Sequence, residues 1–194
     1  MNTQSHGHTL RPYPPGDLAI WVFIFAELAA FFALFVAYAF TRLKHLDLFN
    51  AMQRTLDSDA GMLNTLLLIT GSWCVARAVV AIKANRAARS ARWLLAAIGT
   101  GIGFLIVKYF EYGAKFAAGV DLETNLFYTF YLLLTLFHAM HVAMGMVILF
   151  FVWNKTRRGG YSSPDHRGME TGACYWHMVD LVWIVLFPLV YVMR

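Results

Sequence analysis

Five stretches of this chain are long, apolar and nearly free of charge: roughly Asp17 to Thr41, Met62 to Ile82, Trp93 to Gly113, Leu126 to Trp153 and Gly168 to Met193. About 20 apolar residues wound as a helix cross the hydrocarbon core of a bilayer, where every backbone polar group must be satisfied within the segment. The connections are polar and mostly short, with no low-complexity tract. The pattern predicts an all-α integral membrane protein, a single five-transmembrane-helix bundle over residues 17–194 behind an N-terminal tail of residues 1–16. Pro12, Pro14 and Pro15 suit an extended entry that stops before the first helix. The tail lacks the order of basic, apolar and small residues that marks a signal peptide, so the first span is expected to persist in the mature chain. His6 and His8 read as part of a mobile polar segment. In the third span, Gly99 and Gly103 form a small-xxx-small pair expected to admit a neighbouring helix closely.

Composition agrees with the pattern. At 59% hydrophobic and 14% charged residues, with a mean hydropathy of +0.55, the chain is too apolar for an ordinary soluble domain. Cys74 and Cys174 form no CxxC pair and read as packing residues, with no disulfide framework, zinc site or iron–sulfur site signalled.

The net charge of +5 is distributed by topology. Arg11, Lys83, Arg86, Arg89, Arg92, Lys155, Arg157, Arg158 and Arg167 fall on the N-terminal side, nine in all, against Arg42, Lys44, Arg54, Lys115 and Arg194, five, on the other. The positive-inside rule then puts the N-terminus in the cytoplasm and the C-terminus outside. Charge of this kind addresses lipid headgroups and nothing in it suggests nucleic acid.

The ionisable groups left inside the spans carry the chemistry, because charge in hydrocarbon is costly and normally faces a protein interior. At about 1.5 Å per residue, Glu27 lies about 17 Å into the first helix, and His141 and Asp180 lie about 18 Å from the cytoplasmic ends of the fourth and fifth. His138 and His141 share a face with Gly145, and His177 shares one with Asp180, since positions three and four apart are neighbours. Glu111 sits toward the outside, with Lys108 one turn before it as an ion-pair partner. Glu27, with apolar residues on every side, has His138 and His141 as candidate partners near its depth.

Two readings of these groups compete. His138, His141, His177 and a carboxylate could assemble a metal or haem centre, since imidazole and carboxylate suit several transition metals. Alternatively, each imidazole could pair with a carboxylate or carbonyl of a neighbouring helix and fix its register, at about 1 kcal/mol per bond. The HxxH and HxxD spacings establish only that the groups are co-facial. A transporter is disfavoured by the lack of an inverted repeat or a broken helix pair.

The segments AIWVFIFAELAAFF, MLNTLLLITGS, KYFEYGAKF, FYTFYLLLTLFHAMHVAMGMVIL and YWHMVDLVWIVLFPLVYV occur in this order. In that order they resemble subunit III of the haem-copper oxidases, with FHxxHVxxG followed by YWHxVDxVW as the most specific part. In that resemblance Glu27 matches a carboxylate that reacts with hydrophobic carbodiimides, Asn64 and Thr65 match an LNT element, and Glu111 with Tyr112 an EY element. His138, His141, His177 and Asp180 match the family's histidines and aspartate. Long members carry two further helices at the start, so this chain is similar to the short five-helix form, including the member associated with bacterial nitric oxide reductase. Lys108 stands where long members commonly have a neutral amide.

The resemblance implies a non-catalytic accessory subunit, without haem or metal of its own, in a bacterial inner membrane. It would pack against the haem-containing catalytic subunit of an oxidase or nitric oxide reductase, hold structural phospholipid between helices, and support proton uptake and the durability of the active site. It favours Glu27, Glu111, His138, His141, His177 and Asp180 as an intramembrane polar network. The alternative remains a membrane redox enzyme with its own centre at the histidines.

Overall fold

A computed structural model describes residues 17–193. In chain order it comprises α1 (Leu18–Lys44), α2 (Leu46–Gln53), α3 (Ser58–Lys83), α4 (Ala87–Ala117), α5 (Leu126–Arg157) and α6 (Arg167–Phe187), the last continuing as a π-turn over Pro188–Val192. There is no strand among the described residues. The five long helices are those the hydropathy pattern predicts, and all are apolar and long enough to cross a membrane. The tail residues with His6, His8 and the proline cluster lie outside the described residues.

Polar side chains close the starts of two of the long helices. Asp57 caps α3 by accepting from the backbone N–H groups of Asp59 and Ala60, both at 3.0 Å. Asn125 caps α5 by accepting from Tyr128 N–H at 3.0 Å. Each bond satisfies a donor that the helix itself cannot. Helix α2 was not expected from the sequence. Its eight residues are too few for a span, but Phe49 and Gln53, four apart, are buried on one face. Gln53 Nε2 donates to Val190 O at 2.8 Å, tying this short helix to the end of the chain.

At that end Pro188 removes one N–H from the ladder, and the hydrogen bonding slips to i+5, with Met193 N–H donating to Pro188 O at 2.8 Å. The turn is held from α1 as well, because the Tyr38 hydroxyl donates to Leu189 O at 3.3 Å.

Helix α6 forms the centre of the bundle. Over its apolar stretch 56% of the residues are buried inside the protein, against 11% for α1, which lies along the outside. The tight packing gathers around Trp176, which is 1% exposed. A Cβ at Gly101 would fall 2.8 Å from Met146 Sδ and 2.9 Å from the Trp176 ring, and one at Gly145 would fall 3.1 Å from that ring. Close approach therefore runs through Gly101 and Gly145, and the expected Gly99 and Gly103 pair does not serve it. Gly99 faces open space, and Gly103 meets Leu67 only at an ordinary 3.4 Å. Small-residue spacing marks one face of a helix, but the bulk of the indole opposite decides which face must lack a side chain.

Candidate functional site: the intramembrane polar network

The polar residues singled out in the sequence separate into three groups. The first joins α1 to α5. His141 Nδ1 lies 2.8 Å from Phe137 O, and His141 Nε2 lies 2.9 Å from Glu27 Oε2. A carbonyl oxygen can only accept, so Nδ1 carries a hydrogen. The Nε2–Oε2 contact therefore holds one proton, placed either on the carboxyl facing a neutral ring or on the ring facing a carboxylate. Both placements leave the pair with no net charge, which suits a side chain inside an apolar layer. Glu27 is not fully enclosed, since 21% of its side chain is exposed against 8% for His141. Phe31 lies across this contact, its ring 5.1 Å from that of His141.

His138 does not reach Glu27. It turns toward α6, where Nε2 donates to Val179 O at 3.1 Å, and it is fully buried between Phe104 and Trp183, with ring centroids 5.5 and 5.0 Å away. Three residues along a helix rotate a side chain by about 60° from perfect alignment. That is enough to send His138 and His141 to different neighbours.

The second group lies on α4, α5 and the π-turn. Lys108 Nζ donates to Glu111 Oε2 at 2.9 Å and to the Tyr191 hydroxyl at 2.6 Å. The hydroxyls of Tyr131 and Tyr191 both donate to Glu111 Oε1 at 2.6 Å. The ammonium also sits over the faces of Trp183 and Tyr191, 5.1 Å from each centroid. A buried ion pair is tolerated when its remaining donors and acceptors are used, and here every bond closes within one enclosure. The expected Lys108–Glu111 pairing is thus present. Tyr131 and Tyr191 were missed because a tyrosine in an apolar run is indistinguishable from an ordinary aromatic until its hydroxyl has a partner.

The third group joins α3 to α6. Ser72 Oγ lies 2.7 Å from His177 Nδ1, and Asp180, one turn on, is 8% exposed. The Trp183 N–H donates to Thr65 Oγ1 at 2.9 Å, so Thr65 of the LNT element also binds α6. Its neighbour Asn64 is fully buried. No group of three or more metal-ligating side chains gathers among the described residues, and His138, His141 and His177 each engage a different partner.

Fold and network together define a class: a multi-pass α-helical membrane bundle whose interior polar groups cross-link neighbouring helices. The profile of the family described as cytochrome c oxidase subunit III matches residues 5–194. The chain is 34% identical to "Cytochrome c oxidase subunit 3" of Synechocystis over 198 residues, covering 98% of this chain and 80% of that one. It is also 34% identical to the protein of the same name from Thermostichus vulcanus over 179 residues, covering 91% and 86%. A "Heme-copper oxidase subunit I+III" from Aeropyrum pernix is 30% identical over an alignment of 197 residues, covering 93% of this chain but 23% of that longer one. The chain belongs to the cytochrome c oxidase subunit III family.

Proposed function

We propose that this chain is an accessory subunit without a redox centre of its own, seated against the haem-containing catalytic subunit of a cytochrome oxidase in a bacterial inner membrane. The observation that carries the reading is the way the intramembrane histidines are used. His138 and His141 each bind a group on a different neighbouring helix, α6 and α1, and the ring of His177 faces Ser72 on α3. Such bonds fix helix register. The names of the relatives support a cytochrome oxidase as the partner, and no observation favours nitric oxide reductase over it. In this role the N-terminus faces the cytoplasm, phospholipid fills gaps between helices, and the bundle supports proton uptake and the durability of its partner. Glu27 acts as a structural or modulating group at the α1–α5 contact and is not an obligatory proton carrier.

The test is purification of the intact complex from gently solubilised membranes, with identification of its largest component. A many-helix haem protein is expected in stoichiometric amount. The isolated chain should carry no stoichiometric iron, copper or zinc by elemental analysis. One tightly held metal per chain, lost on His141→Ala, would establish the opposite reading, and a free monomer in the membrane would remove the accessory role.

A further inference from the structure

Where α3 ends and α4 begins, Arg77, Arg89 and Arg92 surround an open-sided cavity of about 500 Å³ whose other lining residues are Trp93 and Ala96. All three arginines are exposed, and none has an ion-pair partner among the described residues. The lack of a partner is built into the sequence. From Ala60 to Phe110 the chain contains no Asp or Glu, and the nearby Glu170 is already paired with Lys83, the last residue of α3, at 2.7 Å. Arg89 and Arg92 lie one turn apart on α4, so their side chains emerge on the same face.

The two walls of the cavity differ in chemistry. Trp93 is half-buried and packs edge-on against the exposed Trp73, with ring centroids 5.0 Å apart, while the Arg77 guanidinium lies 5.9 Å from the centre of the Trp93 ring. Arg77 is six residues before the end of α3, about 9 Å below it along the helix axis. A guanidinium at that depth must reach upward along its own stem to find polar surroundings. A ligand meeting all of these groups needs negative charge at the level of the arginines and an apolar body below it, against the two indoles. A soluble anion would satisfy the first requirement and leave the second unused.

We propose that this cavity binds the phosphate of an anionic phospholipid, with an acyl chain running down over Trp93 and Trp73. The site lies on the α3–α4 edge, away from the Glu27–His141 contact, and it stands whether or not the chain serves an oxidase.

The experiment is native mass spectrometry of the full-length chain, in the assembly with which it purifies, titrated with phosphatidylglycerol or with phosphatidylcholine. Phosphatidylglycerol should be retained preferentially, one molecule per chain at low ratio. Arg89→Gln with Arg92→Gln should weaken that retention about 25-fold, since each arginine near a membrane surface contributes about fivefold. Lys155→Gln with Arg158→Gln removes the same charge at the same end of the bundle but outside this cavity, and should leave retention within about twofold. Arg77→Gln alone should lower retention in the same direction, and it tests the site should the double variant misfold. Equal retention of the two lipids, equal loss in both double variants, or displacement of phosphatidylglycerol by millimolar inorganic phosphate would each overturn the proposal. The first two outcomes would indicate diffuse surface charge and the third a soluble-anion pocket.

Discussion

Glu27 and Glu111 are both carboxylates set in long apolar helices, yet the bundle treats them in opposite ways. Glu111 has 4% of its side chain exposed and receives three hydrogen bonds, from Lys108, Tyr131 and Tyr191. Glu27 has 21% exposed and one hydrogen-bond partner among the described residues, a ring with which it shares a proton. The first is a charge fully compensated in a sealed site, where removing any component strands the others. The second is a neutral pair at an edge, where a substitute that still bonds can replace it. Burial alone therefore does not say what an intramembrane acid does, and the number and sign of its partners do.

The largest effect expected from this contrast is on Lys108. Lys108→Met leaves the Glu111 carboxylate buried without its cation and should lower stability by about 3–5 kcal/mol, read as thermal unfolding in detergent. Combining it with Glu111→Leu should recover most of that loss, because no uncompensated charge remains. If the double variant is as unstable as the single, the site does not behave as a compensated pair.

Tyr191→Phe comes next. It removes a bond to the carboxylate and one from the ammonium, and should cost about 2–3 kcal/mol. Because Tyr191 lies in the π-turn that Gln53 and Tyr38 also hold, proteolysis near the C-terminus should increase. Unchanged protection there would place the stability of the turn elsewhere.

Glu27→Gln should cost less than about 1 kcal/mol, because the amide can still bond the imidazole. The complex should assemble and keep most of its turnover. Normal assembly with abolished turnover would mean that Glu27 carries protons.

The smallest perturbation is chemical labelling. Hydrophobic carbodiimides must reach a carboxyl group to react with it, and Glu27 is partly open with a single ring against it, whereas Glu111 is enclosed by three donors. Label is therefore expected on Glu27 and not on Glu111 by peptide mapping. Equal labelling would erase the distinction between the two sites.

Much of this arrangement is legible along the chain. The five spans are local features, since each depends only on whether about 20 consecutive residues tolerate hydrocarbon. The Lys108–Glu111 pair is local too, because a spacing of three on a helix brings the side chains together whatever surrounds them. Helix α2 escaped because its signal is short, with Phe49 and Gln53 buried only through contacts with distant elements. The arginine cavity escaped for a related reason. Arg77 stands alone in its apolar run, and only the packing of α3 on α4 sets it beside Arg89 and Arg92.

Sequence by itself determined the number of spans, their apolar character, the excess of positive charge on one side, and the set of polar residues left inside. Constant rise per residue also put Glu27 and His141 at nearly one depth, and the two are in contact. Only the tertiary structure decided the partners. Depth leaves rotation about each helix axis and the order of helices around the bundle undetermined, and both depend on how side chains of different bulk fit together. That fit turned His141 toward α1 and His138 toward α6, brought Tyr131 and Tyr191 onto one carboxylate, and put Gly101 rather than Gly99 beneath Trp176. A hydrogen bond is directional over a few ångströms, so a rotation of about 60° that hydropathy cannot register is enough to choose its partner.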